Sequence, residues 1–290
     1  MKVVLSSNPY RDKGLRVAQE AQKVLNKAGA DTVLCLPFNP KKGERFDYPK
    51  QLKLGKLESE LADADILICF GGDGTILHAA KDATLHNVPV MGVNMGSVGF
   101  MAELERGELS LLSKLAHGDY RTEKRMMLQI RVYRGEKLLM EDIALNDAVI
   151  SKGSIARVAE LEVRADGVLV TSMAGDGIIV ASPTGSTAYS MSAGGPIVEP
   201  NSQCMVVTPV CAHQLAARSM VLAPERVITV QLPKGNRKHL NLAVDGGKSI
   251  RLTAGERVEI SRSSYETTVI RLTDRSFYQI INQKLGGYQG

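Results

Sequence analysis

An aspartate lies within a glycine-rich loop that directly follows a strongly apolar stretch. In the segment ICFGGDGTILHAA, Asp73 and Thr75 are set among Gly71, Gly72 and Gly74. A glycine loop between a buried strand and a helix lets backbone N–H groups approach phosphate oxygens, and the helix N-terminus adds partial positive charge. A carboxylate would repel a bare phosphate, so its partner would be a sugar hydroxyl, a proton to be removed or a metal. The combination indicates a phosphotransferase; the alternative is a tight turn in which Asp73 merely caps a helix that starts near Thr75.

Further glycine-rich turns carry short polar side chains, which suit the hydroxyls and amide edges of a nucleotide. The turns are GVNMGSVGF, AGDGIIV and SPTGSTAYSMSAGGP, and their polar residues are Asn94, Asp176, Thr184, Ser186, Thr187 and Tyr189. The chain contains no G-x-x-x-x-G-K-[ST] motif, and no G-x-G-x-x-G follows its first strand. The predicted phosphate site is therefore neither a P-loop nor a standard dinucleotide fingerprint.

The elements that would position these loops differ between the two parts of the chain. Up to residue 119, continuous apolar runs at 3–5, 32–36, 66–70 and 88–93 predict the buried strands of a parallel sheet. Apolar residues also recur at helical spacing from Val17 to Ala28, and Gly29 ends that pattern. The sequence thus predicts a Rossmann-like α/β domain over residues 1–119. The basic, proline-containing segment 37–56 predicts an exposed loop, with a substrate lid as the alternative.

From residue 120 to 271 the pattern changes to the alternation of antiparallel strands. Leu128, Ile130 and Val132 alternate with polar residues, and Asp166-Gly167 has the composition of a hairpin turn. Further strands are predicted at 178–181, 205–210, 227–232, 240–244 and 258–260, which gives a mostly antiparallel β domain. In the tail, 272–290, apolar residues on one helical face predict a helix that packs back on the first domain; they are Phe277, Ile280, Ile281 and Leu285.

Composition excludes several classes of protein. The 290 residues are 44% hydrophobic and carry a net charge of +5, and no apolar run approaches the length of about 20 residues that a membrane helix requires. No secretory signal pattern opens the chain, so we expect a cytoplasmic protein without a membrane partner. No aromatic residues interleave with a basic patch, which argues against a nucleic-acid partner. The four cysteines and five histidines lack metal-ligand spacing, so we expect buried reduced thiols and no structural zinc.

In order and spacing, these motifs resemble the NAD kinase family. The resemblance rests on GGDGT at 71–75, GVNMGSVGF at 92–100, Asn146-Asp147, GDG at 175–177 and PTGSTAYSMSAGGP at 183–196. GGDGT alone is not specific, because diacylglycerol and sphingosine kinases share it. The TGSTAY block after GDG is the stronger signal.

The resemblance implies an enzyme that moves the γ-phosphoryl group of ATP, or of polyphosphate, to the adenosine ribose 2′-hydroxyl of NAD. It further implies a divalent cation, expected to be Mg²⁺, and a homodimer or homotetramer. By similarity, Asp73 contacts the NAD ribose and pyrophosphate and is the candidate general base. Asn146 and Asp147 match a pair that binds adenosine and ribose. The positions that match the lining of the dinucleotide pocket are Asp176, Ser186, Thr187, Ala188 and Tyr189.

Two departures and two alternatives qualify this interpretation. Asp147 stands where the family has Glu, and Ala212-His213 stands where the family often has Pro-His. Asp245 could face the pocket, or Asp245-Gly246 could simply form a turn. The alternative functions are a lipid kinase that shares GGDGT and a non-catalytic sensor that binds NAD.

Overall fold

The computed structural model describes residues 1–40, 46–49, 51–96, 99–153, 158–214, 217–233 and 239–286. The chain divides into two compact units, the first formed by Met1–Lys124 with Thr267–Gly290 and the second by Arg125–Glu266. The sequence had suggested boundaries at 119 and 272. Each unit is built around its own apolar core.

The first unit contains a parallel sheet with helices packed on it. Its strands are β1 (Lys2–Ser7), β2 (Asp31–Cys35), β3 (Leu54–Gly55), β4 (Ile66–Gly71) and β5 (Val90–Asn94). Its first helices are α1 (Arg16–Lys27), α2 (Leu57–Leu61), α3 (Asp73–Leu85) and α4 (Ser113–Ala116), with 3₁₀ turns at Lys13–Leu15 and Arg106–Leu112. The strands lie in the order β3–β2–β1–β4–β5, and neighbouring strands are parallel. This confirms the predicted Rossmann-like sheet.

The strand order places a topological switch point between β1 and β4. From β1 the chain moves outward through β2 to β3, and it then returns to the other side of β1 to form β4 and β5. Connections on the two sides of the switch point leave the sheet in opposite directions. In open α/β sheets, ligands bind in the resulting crevice beyond the carboxyl ends of the strands.

The second unit is built from antiparallel strands, as predicted. They are β6 (Arg121–Arg134), β7 (Lys137–Ala144), β8 (Asp147–Lys152), β9 (Ala159–Ala165), β10 (Val168–Gly175), β11 (Gly177–Ala181), β12 (Met205–Val210), β13 (Met220–Leu222), β14 (Ile228–Gln231), β15 (Leu240–Val244), β16 (Ile250–Leu252) and β17 (Glu256–Arg271). The first residues of β6 and the last residues of β17 belong to the first unit. One sheet has the order β13–β12–β11–β8–β15–β16. A second set of strands pairs β10 with β9, β9 with β14, β14 with β17, and β6 with β7. A 3₁₀ turn at Thr184–Thr187 and the short helix α5 (Tyr189–Ser192) follow β11.

Local sequence chemistry accounts for the turns and for the tail helix. Asp166 and Gly167 have φ of 49° and 80°, the left-handed pair that a tight hairpin turn requires, so that prediction is confirmed. The tail forms α6 (Phe277–Leu285), which begins with a capping box between Ser276 and Gln279. It belongs to the first unit, as predicted.

Three details of the sequence-based prediction are wrong. Leu54–Gly55, expected to be part of a loop, is strand β3, because Leu34 and Cys35 of β2 offer a free edge for pairing. Residues 41–45 and 50 of that segment lie outside the described residues. Of the apolar face of α6, Ile280 is buried but Leu285 is 48% exposed, because the helix ends there. Cys211 is exposed, since it follows the end of β12, whereas the other cysteines are buried.

Candidate nucleotide-binding sites

The GGDGT loop lies at the switch point of the first unit. Strand β4 ends at Gly71 and α3 begins at Asp73, with Gly72 as its N-cap residue. The helix therefore starts earlier than the predicted position near Thr75, and Asp73 is its first residue rather than its cap. Asn8, which follows β1, donates its backbone N–H to Phe70 O and its side-chain Nδ2 to Thr75 Oγ1, both at 3.0 Å. The ends of β1 and β4 are thus joined beside the helix N-terminus.

A cavity of about 790 Å³ opens beside this loop. Its lining comprises Asn8, Arg11, Pro37 and Phe38 from the ends of β1 and β2, and Gly72, Gly74, Thr75, His78, Lys81 and Asp82 from α3 and its start. The α3 residues recur every three or four positions, so they share one face of the helix. The cavity combines a helix N-terminus with Arg11 and Lys81, which is the chemistry that binds polyphosphate groups.

The Asp73 side chain is held by the loop that follows β5. Its Oδ2 accepts a hydrogen bond from the Phe100 backbone N–H at 3.0 Å, and its Oδ1 accepts one from Met101 N–H at 3.2 Å. A Cβ at Gly99 would overlap with Asp73 Oδ1, so a larger residue there would displace this carboxylate. The Lys284 ammonium on α6 is 3.7 Å from Oδ2. Asp73 is not among the residues that line the cavity, so the glycines and the acid face different surroundings.

Asn94, predicted to contact the nucleotide, forms hydrogen bonds within its own loop in this structure. It is 2% exposed, its Nδ2 donates to Glu105 and to Gly96 O, and its Oδ1 accepts from Gly96 N–H at 3.0 Å. Because both ends of this amide are occupied, its observed role is to shape the loop after β5. Ser97 and Val98 of the same predicted motif lie outside the described residues.

The second unit brings another group of predicted residues together at one end of β8. Asp147 starts β8 and lies opposite Ala181, the last residue of the antiparallel strand β11. The segment after β11 therefore runs beside Asn146: the Ser182 N–H donates to Asn146 O at 2.8 Å, and a Cβ at Gly185 would overlap with Asn146 O. Antiparallel pairing thus carries the TGSTAY block to the Asn-Asp pair.

Asp245 closes this cluster from the other neighbouring strand, β15. Asp245 and Gly246 have φ of 49° and 66°, so the predicted turn is present. The Asp245 carboxylate accepts backbone N–H groups from Leu145 at 2.7 Å, Asn146 at 2.8 Å and Asp147 at 3.0 Å. It thereby holds the segment that presents Asn146 and Asp147.

Three polar side chains of this cluster can form hydrogen bonds to a ligand. Among the described residues, neither Asn146 Oδ1 nor Thr184 Oγ1 has a hydrogen-bond partner, although both atoms are buried. Buried polar groups are normally paired, so these two atoms are available to bond a ligand or a water molecule. Burial, and secondarily the charge of Asp245, raises the pKa of Asp147 to about 7. A carboxyl group that is partly protonated near neutral pH can both donate to and accept from a hydroxyl.

The remaining predicted residues of the TGSTAY block have different surroundings. Ser186 is buried and its hydroxyl donates to Pro183 O at 2.7 Å and accepts from Val198 N–H at 3.0 Å, so it fixes the turn. Thr187 Oγ1 donates to Thr184 O at 3.3 Å. Ala188 precedes α5, and Tyr189, its first residue, is 47% exposed.

Asp176 is not brought to this cluster. It lies beside Lys152 at the far end of β8, and the Lys152 ammonium donates to Asp176 Oδ1 at 2.6 Å. The six residues of β8 span about 17 Å at the usual rise per residue. The structure therefore separates the Asn146 group from Asp176 by the length of one strand.

Sequence reasoning missed the cationic and aromatic lining of the first-unit cavity. Arg11, Phe38 and Lys81 belong to no glycine motif, and Lys284 reaches Asp73 from the other end of the chain. A signal for Asn8 and Arg11 was available, because they directly follow the first strand, where parallel sheets bind ligands. In the described part of the chain, no group of three or more His, Cys, Asp or Glu residues is placed to hold a metal ion. Likewise, no described helix is long and apolar enough to cross a membrane.

The class of protein follows from the first unit, where a glycine loop lies at the switch point of a parallel sheet. An acid begins the next helix and a cationic cavity lies beside the loop, which together define a nucleotide-dependent phosphotransferase. The chain belongs to the NAD kinase family. Residues 3–120 match the ATP-NAD kinase N-terminal domain, and residues 145–272 match the ATP-NAD kinase C-terminal domain.

Known proteins agree with this membership along the whole chain. An NAD kinase from Ruminiclostridium cellulolyticum is 34% identical over 289 residues, which cover 98% of this chain and 97% of that protein. One from Natranaerobius thermophilus is 42% identical over 227 residues, covering 78% and 79%. The crystal structure of yeast NADH kinase complexed with NADH has a TM-score of 0.85 at 23% identity, covering 100% of this chain and 89% of that one. An NAD kinase from Archaeoglobus fulgidus in complex with ATP has a TM-score of 0.75 at 23% identity, covering 99% and 100%. The comparisons give no support to a lipid kinase or a sensor.

Proposed function

We propose that this chain phosphorylates NAD at the adenosine ribose 2′-hydroxyl with ATP as the donor. The observation that carries the proposal is the glycine loop at the β1–β4 switch point with its cavity, where Arg11 and Lys81 accompany the N-terminus of α3. That NAD is the acceptor follows from membership of the NAD kinase family. The bond between the γ-phosphorus and its bridging oxygen breaks, the ribose oxygen forms the new bond to phosphorus, and ADP leaves.

Asp73 is proposed to accept the proton that the 2′-hydroxyl loses. Each of its carboxylate oxygens accepts one backbone N–H, which orients the group and leaves a lone pair on each oxygen. Because these donors belong to the loop after β5, the base has a fixed position before substrate binds. The glycines at 72 and 74 face the cavity instead, so separate residues of one short loop serve the phosphates and the hydroxyl.

The adenosine of NAD is proposed to bind at the start of β8. The unpaired Asn146 Oδ1 can accept from an amino group, and the unpaired Thr184 Oγ1 can bond a hydroxyl or a ring nitrogen. Asp147 would bond a ribose hydroxyl, with a side chain one methylene shorter than the Glu usual in the family. Asp176, paired with Lys152, is proposed to serve the nicotinamide end.

A divalent cation, Mg²⁺, fits these residues as an ion that arrives with the donor. Mg²⁺ commonly takes one or two carboxylates together with substrate phosphates and water. Asp73 is the acid of the glycine loop and retains lone pairs, so it would hold the ion directly or through water. The bound cation would neutralise charge on the transferred phosphoryl group.

The test is a product assay with purified protein, NAD, ATP and magnesium, in which NADP is detected with an NADP-specific dehydrogenase. We expect NADP to form, and a parallel reaction with NADH measures the choice of acceptor. Tight NAD binding without turnover would instead establish a sensor, and phosphorylation of diacylglycerol would establish a lipid kinase. A cytoplasmic location and a homodimer or homotetramer stay predictions; light scattering at micromolar concentration tests the latter.

A further inference from the structure

The first-unit cavity has two chemically different sides. Beyond β1 and β4 it is lined by the glycine loop, and the Arg11 guanidinium lies near the backbone at Gly96. Beyond β2 it is lined by Pro37 and Phe38. Strand β2 is two strands away from β4, which separates the apolar side from the glycine loop by about 10 Å at the usual strand spacing.

Aromatic rings cluster on the apolar side. Phe38 stacks on Tyr10 with ring centroids 5.7 Å apart, and Phe46 meets them edge-on at 6.0 Å from Phe38 and 5.1 Å from Tyr10. We call Tyr10, Phe38 and Phe46 the aromatic wall. The whole chain has only five Phe, eight Tyr and no Trp. Three of these aromatic residues cluster beside the cavity at the glycine loop.

The rings of the aromatic wall pack against one another but remain partly exposed. Its rings adopt the offset-stacked and edge-to-face arrangements that aromatic pairs prefer, so their positions are mutually fixed. Tyr10 is nevertheless 60% exposed, and Phe38 faces the cavity. An ordered, partly exposed aromatic surface is suited to a flat partner, because every nucleobase presents a π-face that stacks on such rings.

We propose that the aromatic wall binds the nucleobase of the phosphoryl donor, so that the site selects a nucleoside triphosphate over inorganic polyphosphate. This rests on the proposed function, in which the same cavity takes the donor. A nucleoside triphosphate matches both sides of the cavity, with phosphates at the glycine loop and Arg11 and the base at Phe38. A linear polyphosphate carries negative charge along its whole length and has no group that gains from an aromatic surface.

The experiment compares ATP with inorganic tripolyphosphate as donors for NAD phosphorylation. In the unmodified protein we expect kcat/KM to be much larger for ATP. Phe38→Leu keeps an apolar side chain but removes the ring, so the ratio of kcat/KM for ATP to that for tripolyphosphate should fall about 5- to 150-fold, as the loss of one base–aromatic stack predicts. Phe38→Tyr should restore most of the ratio. The matched control is Tyr265→Leu, which removes a 41%-exposed aromatic ring in the second unit and should leave the ratio unchanged.

Direct binding separates this proposal from the proposed function. Calorimetry with a non-hydrolysable ATP analogue and magnesium, without NAD, should show weaker binding to Phe38→Leu by a similar factor, with thermal melts to confirm folding. If no donor yields NADP but Phe38→Leu binds the ATP analogue more weakly, the proposed function is wrong and the proposal that the aromatic wall binds the nucleobase is supported. If tripolyphosphate equals ATP in the unmodified protein, or if folded Phe38→Leu binds the analogue normally, the proposal is overturned.

Discussion

The ammonium nitrogen of Lys284 lies 3.7 Å from the Asp73 carboxylate and 4.0 Å from the centre of the Phe100 ring. The Phe100 backbone N–H is itself bonded to Asp73. The tail helix α6, the loop after β5 and the acid of the glycine loop therefore form one connected cluster. It follows that the end of the chain helps to position the residue we propose as the base.

Lys284→Met should loosen this cluster while it keeps an apolar stem. Exposed ion pairs and cation–π contacts each contribute about 1 kcal/mol or less, and both groups are about one-third exposed (32% and 34%). We therefore expect a small loss of stability but a clear fall in kcat, because the loop that orients Asp73 is less constrained. Lys284→Arg retains the charge and the stacking and should preserve kcat. Equal kinetics for the Met and Arg variants would show that Lys284 has no positioning role.

Asp73→Asn should affect turnover much more than NAD binding. It removes proton acceptance, which contributes about 10²- to 10⁴-fold to kcat. The amide can accept from only one of the Phe100 and Met101 N–H groups through its oxygen, so stability should also fall by about 1–3 kcal/mol. Steady-state kinetics with NAD and magnesium varied, together with a thermal melt, measure both effects. Near-normal kcat would remove Asp73 from catalysis, and a raised magnesium requirement would assign it to the cation.

Asp147 should make stability depend on pH in a defined window. Its pKa is raised in the folded protein from 3.8 to about 7 by burial and then by Asp245. The folded state holds this proton more tightly than the unfolded chain, so the contribution is complete below about pH 4 and is lost as the pH rises to about 7. Melting curves from pH 4 to 8 should therefore show the unmodified protein losing stability relative to Asp147→Asn. Asp274→Asn, at a fully exposed (100%) side chain, is the control; curves that stay parallel for Asp147→Asn would contradict the prediction.

The same substitution informs NAD binding. Asn resembles the protonated acid, since it can donate and accept, whereas Ala leaves the ribose hydroxyl unpaired. Asp147→Ala should raise the KM for NAD by an amount equivalent to about 1–3 kcal/mol, and Asp147→Asn should raise it less. Asp147→Glu, the residue usual in the family, should be tolerated. An unchanged KM for Asp147→Ala would remove this residue from the site.

Thr184→Val tests whether the unpaired Thr184 hydroxyl forms a hydrogen bond to NAD. Removing a buried, unsatisfied hydroxyl should leave the free energy of unfolding unchanged or raise it by about 1 kcal/mol, since valine has a similar shape. The KM for NAD should nevertheless increase. Ser186→Ala, by contrast, removes a hydroxyl that is already bonded to Pro183 O and Val198 N, so it should lower stability. A Thr184→Val enzyme with normal KM would show that the hydroxyl does not contact NAD.

Glu103, in the first unit, should contribute more to stability than Glu141, an exposed carboxylate in the second unit. It is 3% exposed, pairs with Arg271 at 3.0 Å and accepts backbone N–H groups of Leu272 and Thr273. Glu103→Ala takes the acceptor away from the Leu272 and Thr273 N–H groups and leaves Arg271 with Glu123, at 3.2 Å, as its carboxylate partner, so it should cost about 1–3 kcal/mol. Glu141→Ala breaks an exposed pair and should cost about 1 kcal/mol or less. Urea denaturation of both variants measures the difference; similar midpoints would contradict this account.

The sequence by itself determined the fold class, the family and the motifs because each depends on local pattern. Continuous apolar runs indicated β1, β2, β4 and β5, and period-two alternation indicated the antiparallel strands, since side-chain direction is set by the residues of one strand. The turns at Asp166-Gly167 and Asp245-Gly246 could be predicted because the backbone preference of a turn is set by its own residues. GGDGT and TGSTAY are contiguous, so their chemistry could be read without coordinates.

Only the tertiary structure decided which of these residues meet. Strand order placed the end of β1 beside the end of β4, and so brought Arg11 to the glycine loop. Antiparallel pairing of β8 with β11 and β15 gathered Asn146, Thr184 and Asp245 but left Asp176 at the opposite end of the same strand. Contacts such as Lys284 with Asp73 join residues far apart in the chain, and no local periodicity encodes them, because they depend on how complete elements pack.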